Sequence, residues 1–178
     1  MFRLWIAFAA VLICVLFSAA FAQVPPAKPV PCDQDPTYHK LDFWLGEWDV
    51  FDLKSGERDG TNRIEKTLKG CAILENWTEA LDHSEGKSLF YVVRATSTWK
   101  QVWIEDSGGS KEKRLMDSYV GEGVHFQGEI PHKDGSSHLD RTTLVPMSGG
   151  RVRQTIEISR GAGKAWTTVY DAEYRPRK

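Results

Sequence analysis

From residue 46 onward the chain consists of short stretches of alternating apolar and polar residues, separated by turn residues. Period-two alternation is typical of β-strands, and clusters of Gly, Pro, Asp and Ser mark the turns between them. The pattern predicts about ten strands, at residues 47–53, 61–68, 71–79, 87–94, 98–106, 113–120, 123–130, 139–145, 151–159 and 165–174. No helical pattern separates them, so we expect an antiparallel meander. A meander of this many strands is expected to close into a barrel, because closure removes the exposed edges.

A short helical segment precedes the first strand. Tyr38, Leu41 and Trp44 follow helical spacing, and the alternation begins directly after Gly46. We therefore predict a short helix over residues 37–45 that docks onto the barrel. Gly46 can adopt backbone conformations that other residues avoid, and Trp48 offers a large apolar body with one N–H donor.

The alternation assigns faces clearly in only part of the chain. Val124, Phe126 and Ile130 share one face of their strand, and Trp166, Tyr170 and Tyr174 are predicted to share one face of the last strand. Elsewhere polar and apolar residues are mixed on both faces. Mixed faces are expected of a barrel that encloses a ligand cavity, but they also result from a register that is set wrongly by one residue.

The first 36 residues predict export. Arg3, an apolar run over residues 4–17 and the Ala20-Phe21-Ala22 sequence form a secretory signal peptide, predicted over residues 1–22. A retained N-terminal anchor is the alternative. Residues 23–36 contain five prolines and are predicted to be an extended linker, which leaves 37–178 as one domain. The mature protein is thus expected to be periplasmic or extracellular, without a stable membrane span.

The charge balance argues against nucleic-acid binding, and the cysteine content predicts a disulfide. The 23 basic and 24 acidic residues nearly balance, so the chain has no basic footprint for nucleic acid. Cleavage would leave two cysteines, Cys32 and Cys71, in an oxidising compartment. We predict a disulfide between them that ties the N-terminal segment to a core strand, with two free thiols as the alternative.

Several motifs carry a resemblance to known proteins. Gly46-Glu47-Trp48 resembles the Gly-x-Trp of lipocalin-like barrels, whose Trp plugs the closed end of the barrel. Residues 42–50, 70–77, 99–103 and 151–154 together resemble domain of unknown function 1579 (DUF1579), an exported bacterial family. The resemblance implies a lipocalin-like barrel and no particular reaction. Residues 159–166 depart from that family, because they lack its acidic turn residue.

Two groups of residues are candidates for ligand binding. Aromatic side chains on the strands provide large contact areas for an apolar ligand, although an ordinary filled barrel core also needs them. Polar side chains flanked by bulky groups are candidates for a buried cluster, with Glu75 and Arg141 as a pair, and outward salt bridges are the alternative. The predicted ligand-binding residues are Glu75, Trp77, Gln101, Trp103, Arg141, Gln154 and Tyr170.

Histidine-based sites are weaker candidates. His132 and His138 flank the Asp134-Gly135 turn and suit zinc or copper, but two ligands on a hairpin favour a solvated turn instead. A haem site would require His125 to point into the barrel, against its own alternation. We predict no metal and no cofactor, and the sequence contains no catalytic motif of a hydrolase, metalloprotease or nucleotide-binding enzyme.

Three functions fit this sequence. The first is an exported barrel that binds a small apolar or amphipathic molecule. The second is an enzyme acting in the same barrel, with Glu75 as acid/base and Arg141 as charge stabiliser. The third is a filled barrel that serves as an interaction partner in the cell envelope.

Overall fold

The computed structural model describes residues 30–178, so the predicted signal peptide and residues 23–29 of the predicted linker lie outside it. The described chain forms ten strands that close into one antiparallel barrel in sequential order, with β1 pairing to β10. The strands are β1 (Gly46–Asp52), β2 (Arg58–Thr67), β3 (Ala72–Glu79), β4 (Glu85–Val93), β5 (Thr98–Glu105), β6 (Ser110–Leu115), β7 (Val124–Pro131), β8 (Ser137–Met147), β9 (Arg151–Ser159) and β10 (Thr167–Pro176). The predicted meander barrel is confirmed. No helix in residues 30–178 is long and apolar enough to cross a membrane.

One end of the barrel is covered by the segment that precedes β1. Two short 3₁₀ turns, Pro36–His39 and Asp42–Trp44, stand in place of the single predicted helix. Tyr38, Leu41 and Trp44 are buried, as their spacing predicts. Proline at the first position and the Asp35 side chain, which accepts a hydrogen bond from the Thr37 N–H, fix the start of the first turn. We call this covered side of the barrel the closed end.

The closed end is filled by aromatic side chains. Trp44 makes edge-to-face contacts with Phe90 and Tyr174, and Phe90 continues the contact to Phe126. Trp48 packs edge-on against Tyr174, and its indole N–H donates to the Trp44 carbonyl at 3.0 Å. This bond removes the penalty of burying an unpaired indole N–H. Trp48 therefore lies in the plug of the closed end, as the Gly-x-Trp resemblance implies.

Two features at the closed end follow the sequence directly. Gly46 has a φ of +138°, a conformation that strongly favours glycine. Cys32 and Cys71 form a disulfide that joins the N-terminal segment to the residue before β3. The predicted disulfide is therefore confirmed, and it links the cover of the closed end to the wall of the barrel.

Two expectations about the strands are wrong. Strand β6 ends at Leu115, and residues 116–123 form a loop in which Val120 is exposed. The charged sequence of β6 hides its strand character. Trp166 does not share the inner face with Tyr170, because a bulge between Thr168 and Tyr170 shifts the register of β10 by one residue.

Candidate functional site

The half of the barrel away from the N-terminal segment contains a cavity of about 310 Å³. Val169 and Glu105 on its rim are exposed, so solvent reaches the cavity from this side, which we call the open end. The lining residues are Glu75, Trp77, Gln101, Trp103, Glu105, Lys111, Lys113, Gln154, Ile156, Val169, Tyr170 and Tyr174. Six of the seven residues predicted to bind a ligand therefore meet in one place, and Arg141 is the exception.

Two tryptophans form the cavity wall on one side, and glycines on the next strand make room for them. A Cβ added at Gly86 would lie 2.1 Å from the ring of Trp103, and one added at Gly60 would lie 2.7 Å from the ring of Trp77. Such distances are far below van der Waals contact, so each indole approaches the backbone of a neighbouring strand where only a glycine leaves room for it. The glycines thus position the apolar wall of the cavity. Sequence reasoning missed this role, although isolated glycines within strands are a known sign of close approach.

The floor of the cavity is polar and centred on Glu75. Its carboxylate accepts a hydrogen bond from the Asn62 amide at 2.7 Å. Burial raises the pKa of Glu75, whereas hydrogen bonds from Ser88 and Asn62 and the charge of Lys113 lower it without cancelling the effect. The buried side chain is thereby biased towards its neutral form. A neutral carboxyl group is both a donor and an acceptor.

Further hydrogen bonds connect the floor to the closed end. The Asn62 amide also donates to the Tyr174 hydroxyl at 3.3 Å, and that hydroxyl donates to Gln154 Oε1 at 2.5 Å. On the other side, Gln101 Nε2 donates to Ser88 Oγ at 3.1 Å. The floor is therefore an ordered network rather than a set of independent side chains.

The network leaves acceptors unpaired. Gln101 Oε1 and Asn62 Oδ1 are buried and have no hydrogen-bond partner among residues 30–178. An unpaired buried polar atom costs about 1–3 kcal/mol unless water or a ligand satisfies it. Gln101 lines the cavity directly, so its free oxygen is available to a polar group placed there.

A buried ion cluster stands beside Glu75. Lys113 Nζ lies 2.6 Å from one oxygen of Asp140, and Lys111 Nζ lies 2.9 Å from the other. Lys113 also donates to the Thr142 hydroxyl at 2.6 Å. Although burial raises it, the pKa of Asp140 is held below its usual range by Lys113 and Lys111. Burial lowers the pKa of Lys113, and Asp140 opposes that shift.

Sequence reasoning missed this cluster. Lys111 and Lys113 alternate with Glu112 and Arg114, so charges occupy both faces of β6 and hide which face is interior. The sequence signal of a polar interior here is the spacing of the two lysines, which are two residues apart and so lie on the same face of β6. Asp140 reaches them from β8 only because of the register in which the barrel closes.

Tyr170 lies at the side of the cavity, with Asp59 close to its hydroxyl. Burial and the adjacent Asp59 raise the pKa of the Tyr170 phenol, so it stays protonated. Burial likewise raises the pKa of Asp59, which the hydrogen bond from Tyr170 partly opposes. Tyr170 thus contributes an aromatic ring with a neutral hydroxyl to the cavity wall.

Arg141 belongs to the outer face, not to the cavity, and the expected Glu75–Arg141 pair is absent. Its guanidinium donates to Glu157 at 2.7 Å and lies 4.0 Å from the centre of the Trp166 ring. The neighbouring Thr142 and Leu144 are buried, and Asp140 turns inward on the same parity. The outward salt bridge considered from the sequence is the arrangement found. Lys113 occupies the place beside Glu75 that we expected of Arg141.

The histidines form no metal centre in the described part of the chain. His125 points outward, stacks on Tyr119 at 4.0 Å and contacts the Thr143 hydroxyl at 2.9 Å. It therefore does not face the cavity, as a haem ligand would have to do. His132 and His138 lie with ring nitrogens 2.8 Å apart, but residues 30–178 contain no group of three or more potential metal ligands.

Comparison of the sequence with known protein families and with curated proteins finds no match. The resemblance to domain of unknown function 1579 stays a prediction, and the case for a function rests on the geometry of the cavity.

Proposed function

We propose that this protein is an exported lipocalin-like barrel that binds a small amphipathic molecule in the cavity at its open end. The observation that carries the proposal is the composition of that cavity. Trp77, Trp103, Ile156 and Val169 supply apolar surface, and Glu75, Gln101 and Lys113 supply polar groups at its floor. Ligand sites combine apolar walls with a few convergent polar groups in the same way.

The size of the cavity supports a small ligand. Its volume of about 310 Å³ lies at the lower end of the range for ligand pockets. The unpaired acceptor of Gln101 supports a ligand with a polar end, because a purely apolar occupant would leave that oxygen unsatisfied. The disulfide and the predicted signal peptide support export.

Native mass spectrometry followed by solvent extraction tests the proposal. We expect mature protein from an exporting host to carry a reproducible extra mass that solvent removes. The variant Val169→Trp places a large ring at the rim and should reduce the bound fraction. Val120→Trp, at an exposed site in the loop before β7, is the matched control and should leave it unchanged. Bare protein that takes up no member of a neutral, anionic and cationic small-molecule panel would refute the proposal.

An enzyme acting in the same cavity is the second candidate. It is favoured by one observation, the raised pKa of a buried Glu75 in a cavity that solvent reaches. Glu75 would serve as the acid/base, and Lys113 rather than Arg141 would stabilise charge. The test is turnover of the extracted ligand by the wild type. Turnover that survives in Glu75→Gln would exclude this role for Glu75.

A further inference from the structure

In the cluster below the cavity, two ammonium groups share one carboxylate. Lys111 and Lys113 share the single carboxylate of Asp140. The Asp140 side chain is fully buried and that of Lys113 is 3% exposed, so solvent does little to screen either charge. The Lys111 side chain is 36% exposed, so water screens part of its charge, whereas buried Lys113 depends on a carboxylate that it shares.

The other titratable groups that face this cluster are two carboxyl groups and two phenols. Burial raises the pKa of Glu75 and lowers the pKa of Lys113, and Lys113 and Asp140 respectively oppose these two shifts. The phenols of Tyr170 and Tyr174 stay neutral, since burial and nearby acids raise their pKa values. Glu105 lies on the exposed rim, where water and salt screen its charge.

Lys113 also has a donor to spare. Its ammonium group has three N–H bonds, and in the described structure it contacts two acceptors, Asp140 and Thr142. Gln101 is adjacent, since it pairs with Lys113 across β5 and β6. Gln101 donates to Ser88 and keeps its Oε1 as a free acceptor within residues 30–178, so the donor available to an acidic head group is Lys113. Since Lys113 lines the cavity, its third N–H is available to a carboxylate placed there.

We infer that the ligand is a small organic acid bound head-first, with its carboxylate at Lys113 and its apolar body against Trp77 and Trp103. The inference rests on the proposed function and names the chemical class of the ligand. Charge-assisted hydrogen bonds are about twice as strong as neutral ones, so the carboxylate supplies a second counter-charge for the two lysines and much of the affinity. The small volume favours an acid with one ring or a short chain over a long-chain lipid.

Calorimetric titration with three probes of one shape tests the inference. The probes are 3-phenylpropanoate, 3-phenylpropanamide and 3-phenylpropylammonium at neutral pH. We expect the acid to bind at least about tenfold more tightly than the amide, given about 1.5–3 kcal/mol for a hydrogen bond to a charged group. The ammonium should bind most weakly. Equal affinities, or a preference for the ammonium, would overturn the inference and leave the proposed function standing, whereas no binding of any probe would overturn both.

Variants then locate the head group. Lys113→Met should remove the preference for the acid and leave amide binding within about twofold. Lys113→Met removes the cation nearest to the buried Asp140 carboxylate and could destabilise the fold for that reason. The double variant Lys113→Met/Asp140→Asn therefore provides a second measurement in which this carboxylate is absent. Lys100→Met, on the exposed outer face of β5, removes the same charge away from the cavity and should change nothing. An acid preference that persists in the folded double variant would overturn the assignment to Lys113.

Discussion

Replacing Glu75 by Gln should stabilise the protein relative to the wild type increasingly as the pH rises. The side chain is buried, and burial raises its pKa above the usual 4.5. Below pH 4.5 both folded and unfolded chains hold the proton. Between 4.5 and the folded-state pKa the folded chain holds a proton that the unfolded chain has lost, so the stability that Glu75 contributes falls as the pH rises through this interval.

The slope follows from the number of protons involved. One proton bound in the folded state but not in the unfolded state changes the free energy of unfolding by at most about 1.4 kcal/mol per pH unit. The amide introduced by Glu75→Gln cannot ionise, and its oxygen can still accept the hydrogen bond from Asn62. We therefore expect the variant to match the wild type within about 1 kcal/mol near pH 4, a difference typical of one neutral hydrogen bond. At higher pH the free energy of unfolding of the variant should exceed that of the wild type by a growing amount, until the pH passes the folded-state pKa of Glu75 and the difference becomes constant.

Urea unfolding monitored by tryptophan fluorescence from pH 4 to pH 8 measures this difference. Glu112→Gln is the matched control, since its side chain lies exposed on the outer face of β6 and should show no such trend. A stability difference that stays constant with pH, or one in which the wild type gains as the pH rises, would refute the reasoning about Glu75.

Three further outcomes are expected. Replacing Cys32 and Cys71 by Ser should cost about 4 kcal/mol in the chain-entropy estimate for a separation of 39 residues, measured by urea unfolding against the oxidised wild type; an unchanged midpoint would contradict it. Trp48→Phe removes the bond to the Trp44 carbonyl and should cost about 1–3 kcal/mol in the same assay, whereas no loss would show that this bond is dispensable. Arg141→Ala breaks a partly exposed outer pair and should change stability by about 1 kcal/mol or less and probe affinity not at all. A loss of calorimetric affinity in Arg141→Ala would place this residue in the site after all.

The strands are predictable because the alternation and the turn residues act locally. The pattern predicts Arg151–Ser159 to the residue, and most other predicted strands lie within a few residues of an observed strand. Strand β6 is misplaced because a charged stretch that lines a polar interior has no hydrophobic alternation. The apolar-looking Tyr119-Val120 draws the prediction into a loop instead.

The cavity is only partly predictable. Bulky and polar residues mixed on strands, such as Trp77 and Gln101, indicate an interior that is not uniformly apolar, and both line the cavity. The cation beside Glu75 is not predictable, because the pairing of Lys113 with Asp140 depends on how β6 to β8 close the barrel. The alternation assigns Trp166 to the wrong face because of the bulge between Thr168 and Tyr170. Residues before this one-residue bulge lie on the face opposite to the one that simple alternation predicts, and nothing in the local sequence marks the bulge.

Uptake of a small molecule by the cavity at the open end can be followed through the indole N–H signals of the tryptophans in a ¹H–¹⁵N NMR titration with 3-phenylpropanoate. We expect the signals of Trp77 and Trp103 to shift with saturation, while those of Trp44 in the closed end and Trp166 on the outer face stay in place. Saturable shifts confined to Trp166, or none at Trp77 and Trp103 with this probe or any member of the panel, would contradict uptake by this cavity.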